Sequence, residues 1–75
     1  MKEVLKFGSV DYFEQYLLNA IKSENGGFNT LHRIYYSFSS FILREIRSHN
    51  ETLKLLTNLE KATHKVSMKL EEGVL

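Results

Sequence analysis

The stretch Leu31–Ile46, LHRIYYSFSSFILREI, constrains this chain more than any other. Together with Phe28 just before it, it brings in Tyr35, Tyr36, Phe38 and Phe41, so five of the chain's nine aromatic residues fall here. Leu31, Ile34, Ile42, Leu43 and Ile46 add aliphatic fill, and serines rather than charges separate the rings. Rings set among serines and aliphatics predict a packed centre or an oligomer seam rather than a stacking platform for nucleotides, which needs interleaved basic groups. On this reading Phe38→Ala or Phe41→Ala costs several kcal/mol.

The chain has 75 residues, which predicts one small helical domain over residues 1–75. So short a chain sits near the limit where a fold needs a staple, and with no cysteine it has neither disulfide nor thiolate metal site. Association with a copy of itself is the remaining way to gain buried area, so a homo-oligomer, a dimer or higher, is expected. Net charge is +1, which exerts no global pull toward nucleic acid or an acidic membrane. No run approaches the roughly 18 apolar residues of a membrane span, and no signal-peptide core follows the N-terminus. A cytoplasmic protein with no membrane partner is the expectation.

Proline is absent, so the few glycines divide the chain. Residues 2–7, KEVLKF, alternate, which fits a short strand or one and a half helical turns. Helix 1 is expected over 10–24, with Val10, Phe13, Leu17, Ala20 and Ile21 on one face. Asp11 and Glu14 form its capping box, Ser9 is the competing cap, and Asn25-Gly26-Gly27 ends it. Helix 2 is expected over 30–47 as the central element. Asn29 or Thr30 caps it, and its stripe runs Leu31, Ile34, Phe38, Phe41 or Ile42, Ile46.

Ser48 and Glu51 have capping-box spacing, which predicts a break near Arg47 and a third helix over 49–72. The alternative is one helix from Thr30 to Glu72, about 60 Å long, which could hardly fold back on itself. Leu56, Leu59, Thr63, Val66 and Leu70 step by threes and fours along helix 3, with Leu53, Leu55 and Ala62 alongside. The fold class is therefore all-α: a three-helix antiparallel bundle or helical hairpin that assembles. Its core or seam is expected at Ile34, Phe38, Phe41, Leu56, Leu59 and Val66.

Chemistry finds little footing. His32, His49 and His64 lack metal-ligand spacing, and His49 is expected to favour the carbonyl end of helix 2. No phosphate loop, nucleophile elbow or carboxylate pair with a histidine is present, so no cofactor and no enzymatic activity are expected. Lys54, Lys61, Lys65 and Lys69 share one face of helix 3, a phosphate-tracking ridge or a solvated face. Tyr12, Tyr16, Arg33, Arg44 and Arg47 flank the central stretch and are the candidates for contact with a protein partner. Tyr12, Tyr16, Lys22 or Arg33 could instead meet a nucleotide.

Two resemblances accompany these readings. The order of short alternating segment, helix, glycine-containing turn and Thr-capped second helix resembles the ribbon-helix-helix family of dimeric DNA-binding repressors. The resemblance implies a short N-terminal strand, with Lys2, Val4 and Lys6 facing DNA and Thr30 capping helix 2 beside a phosphate. The bulky rings of helix 2 and the long third helix depart from that pattern. Lys54–Thr63, KLLTNLEKAT, is similar over ten residues to the C-terminal helix of small helical connector proteins of biofilm and acid-resistance signalling, which implies a dimer acting on protein partners. Neither outweighs the reading of the residues themselves: a non-enzymatic regulatory or inhibitory protein that binds a partner or sequesters a ligand. A repressor using residues 2–7 is the alternative.

Overall fold

The computed structural model describes residues 7–73. Among them the chain forms three helices and no strand: α1 (Val10–Glu24), α2 (Phe28–Glu45) and α3 (His49–Glu71). The choice between strand and helix at residues 2–7, and with it Lys2, Val4 and Lys6, lies outside the described residues except for Phe7, which is in a turn. No helix among the described residues is long and apolar enough to cross a membrane.

The helix ends follow local chemistry. Ser9, not Asp11, caps α1: its hydroxyl accepts from the Tyr12 amide at 3.1 Å. A serine already in the extended region can turn its oxygen onto the first turn, which leaves Asp11 to face the helix dipole from inside that turn. Glu14 does not reach back to close a box; it points across to α3. Asn25, rather than a glycine, takes the left-handed conformation that ends α1, with φ 54°. Gly27 (φ 55°) then stands at the cap of α2 with no side-chain cap, so neither Asn29 nor Thr30 has that role; Thr30 is buried.

The break between helices 2 and 3 lies where the serine box puts it. Ile46 is extended (φ −93°, ψ 121°), and the Ser48 hydroxyl accepts from the Glu51 amide at 3.4 Å. His49 consequently opens α3 instead of closing α2.

Contacts between the helices fix their directions. Asn58 meets Gly8 and Lys69 meets Glu14, so α1 and α3 run parallel. Arg33 meets Glu24 and Phe38 meets Tyr16, so α1 and α2 run antiparallel. The result is a three-helix bundle. Its central element is α3, not α2: α3 packs extensively on both neighbours, while α1 and α2 touch each other least.

The core reflects that arrangement. Phe13, Leu17 and Ile21 enter from α1, Leu31, Ile34 and Ile42 from α2, and Leu55, Leu59, Ala62 and Val66 from α3. The inward line of α3 is thus rotated from the expected one: Leu55 and Ala62 are buried, while Leu56 and Thr63 are half-buried. Ala62 is small, which lets α3 lie close between two partners. Ile34, Leu59 and Val66 are buried as expected and Phe38 is half-buried against the core. Phe41 is a correction: it is 40% exposed, and Ile42 takes the inward position beside it. Only one of two adjacent helical residues can point at the core, and here it is the β-branched Ile42.

Candidate interaction surface

The surface begins with α2. Ten consecutive residues, Ile34–Leu43 (IYYSFSSFIL), carry no charge. A helix without charge around its whole circumference has the chemistry of one surrounded by other helices. Here only one side is covered. Tyr36 is 68% exposed and Leu43 64%, and with Phe41 they leave a ring, an aliphatic and a second ring outside the core.

The apolar surface continues onto α1 through edge-on rings. Phe38 lies 5.1 Å from Phe13 and 4.9 Å from Tyr16 between centroids, both T-shaped. Phe7 and Tyr12 extend the chain of rings at 5.1 Å. Edge-to-face contact lets each ring present a positive edge to a neighbour's negative face, so the cluster is ordered although Tyr16 and Phe7 are about half exposed. Tyr12 and Tyr16 are therefore brought together, as parts of one aromatic patch.

The arginines are spread along the same helix. At 100° per residue, Arg33, Ser37, Ser40 and Arg44 fall within about 60° of one another on the outward side of α2. Arg33 donates to both carboxylate oxygens of Glu24, and Arg44 Nε donates to Glu45 Oε2 at 3.2 Å. All four of these ion-pairing side chains are about half exposed or more, so each pair is hydrated and weak in isolation. Arg47 is exposed in the α2–α3 connection, away from the aromatic patch.

The lysine face of α3 is less uniform than its spacing suggests. Glu14 is largely buried between it and α1, 3.1 Å from Lys69 Nζ and 4.0 Å from Lys65 Nζ. A carboxylate at the Lys65–Lys69 end of the ridge offsets one of the four positive charges that a phosphate backbone would use. Lys54 and Lys61 are exposed on the same flank, and Lys2 and Lys6 are outside the described residues.

An open furrow of about 1100 Å³ lies over α3, edged by Ser9–Asp11 on one side and by Phe28, His32 and Tyr36 on the other. Its α3 residues, from Thr57 to Ser67, take in about 200° of that helix's circumference. A lining that wraps a helix is a ridge with shallow flanks. It does not enclose a small molecule, whose sites bury most of the ligand. His32 stacks on Phe28 at 6.5 Å and stands apart as a metal ligand: among the described residues no group of three His, Cys, Asp or Glu side chains is placed to hold an ion.

Compared with family models, with curated proteins and with solved structures, the chain matches none, so its surface has to be read from its own residues. Sequence spacing pointed to Tyr12, Tyr16, Arg33 and Arg44, which lie on or beside this surface, and to Arg47, which does not. It missed Tyr36 and Phe41 as surface, because ring content alone does not say which side of a helix the rest of the chain will cover.

Proposed function

We propose that the chain is a non-enzymatic interaction module, a small regulator or inhibitor that acts by docking the outward face of α2 onto protein. One observation carries this reading: Ile34–Leu43 is free of charge all round, yet Tyr36, Phe41 and Leu43 face solvent. The largest exposed apolar patch on a small domain, of a few hundred Å², is often a functional contact. Aromatic residues with arginine at the rim are the composition that interface centres favour.

Site-specific photo-crosslinking in the living cell tests it. A photoreactive residue at Tyr36, Ser40 or Phe41 is expected to give discrete protein adducts, while the same residue at Lys54 or Lys61 on α3 gives none. Equal adducts from both helices, or none from α2, would remove the reading.

A further inference from the structure

We propose that the outward face of α2 is covered by a second copy of this chain, with the two α2 helices antiparallel and Ser37 and Ser40 at their crossing. The proposal rests on the docking reading above and names its partner.

Symmetry of charge is the first argument. The uncharged run is centred between residues 38 and 39, and Arg33 and Arg44 stand at equal distances from that centre, about 16 Å apart. Each arginine already holds a carboxylate, Glu24 at one end and Glu45 at the other. A two-fold axis through the centre sets the Glu24–Arg33 pair beside the second copy's Arg44–Glu45 pair, so that each end meets one whose arginine already has a carboxylate and no net charge is set against net charge. Parallel packing would set like pair beside like pair and align the two helix dipoles, whereas the antiparallel sense opposes them. A self-docking surface must be compatible with itself, and this one is, with an uncharged middle and an ion-paired arginine at each end.

Shape agrees with charge. Ser37 and Ser40 are exposed and occupy the middle of the stripe, where small side chains let two backbones approach. Tyr36 and Phe41 flank them, each about 70° from the middle and on opposite sides. Two such helices would cross at the serines with rings closing both edges.

Area is the third argument. Stable interfaces bury about 800 Å² per partner, a little over half of it apolar. Tyr36, Tyr16 and Phe41, at 68%, 47% and 40% exposure, offer about 300 Å² of ring surface when a buried ring is counted at about 200 Å². That is most of the apolar centre such an interface needs, and the serines and arginine stems supply its rim.

The test is solution mass by light scattering at about 100 µM, above the micromolar Kd that a modest interface of this size reaches. The unaltered protein is expected at twice the 8.8 kDa of the chain. Ser40→Glu is expected at the single-chain mass with unchanged helical circular dichroism, and Ser40→Ala at the double mass. The chain has no cysteine, so introduced ones report cleanly. A tagged Ser37→Cys chain mixed with a Ser40→Cys chain should join under mild oxidation faster than a pair carrying Lys61→Cys.

A single-chain mass for the unaltered protein, or a double mass for Ser40→Glu, overturns the second copy as occupant. Cysteine pairs that join no faster than the Lys61→Cys control overturn the antiparallel arrangement. Adducts from α2 to a different protein in the photo-crosslinking experiment would separate that failure from failure of the docking reading itself.

Discussion

Asn58 Nδ2 donates to the carbonyl oxygen of Gly8 at 2.9 Å, across fifty positions of sequence. The bond pins the segment before α1 onto the middle of α3, and Gly8 is built for it. Its φ is +87°, and a Cβ there would lie 2.2 Å from Leu55 Cδ2 in the core. Gly8→Ala is expected to destabilise by about 1–3 kcal/mol, from the left-handed backbone together with the displaced leucine. Asn58→Ala, which leaves the carbonyl without its donor, should cost about 1 kcal/mol. Urea titration followed by circular dichroism measures both. A Gly8→Ala protein as stable as the parent would mean that this turn is not formed in solution.

The two caps give an ordered pair of expectations. Ser9→Ala removes the oxygen that accepts from Tyr12 and should cost about 1 kcal/mol, while Asp11→Ala loses only a favourable charge near the helix start, about 0.5 kcal/mol. The reverse order in chemical denaturation would show that Asp11 is the cap after all.

Glu14 joins α1 to the lysines of α3. Its partners are 40% and 56% exposed, so Glu14→Gln is expected to cost no more than about 1 kcal/mol, with the difference shrinking in high salt. A difference from the parent that stays constant across a salt titration would rule out an ion pair as its origin.

Phe13 and Phe41 separate fold from face. Phe13 is fully buried, and Phe13→Ala should cost about 3–5 kcal/mol and threaten the fold. Phe41 is partly solvated, and Phe41→Ala should cost the single chain about 1–2 kcal/mol at most. Melting curves of dilute protein decide it: equal losses for the two would mean that Phe41 is core.

Much of the fold was legible in the order of residues. Ser48 and Glu51 mark the α2–α3 break without any glycine, because the Ser48 hydroxyl satisfies the Glu51 amide, which a continuous helix would have paired internally, and the acidic Glu51 suits the first turn. The inward face of α1 was likewise visible in Phe13, Leu17 and Ile21. What the order of residues could not show was which helix has two neighbours. The rings of α2 suggested the centre, but α3 holds it with Leu55, Leu59, Ala62 and Val66, whose modest size suits a helix wedged between two others. The choice between Phe41 and Ile42 depends on the same tertiary fact, since either continues the helical spacing. The candidate surface was half legible for that reason: Tyr16, Arg33 and Arg44 stood out by type, whereas Tyr36 and Phe41 were hidden inside what read as core.

The uncharged middle of α2, which faces its own bundle on one side, is proposed to face a second chain on the other. Relaxation by a soluble paramagnetic probe, read residue by residue in the NMR spectrum of the concentrated protein, tests that most directly. Tyr36, Ser40 and Phe41 are expected to be shielded and Thr57 and Lys61 on α3 strongly relaxed, although in the single chain Tyr36 is 68% exposed. Tyr36 and Phe41 relaxed as strongly as the α3 positions would contradict the claim.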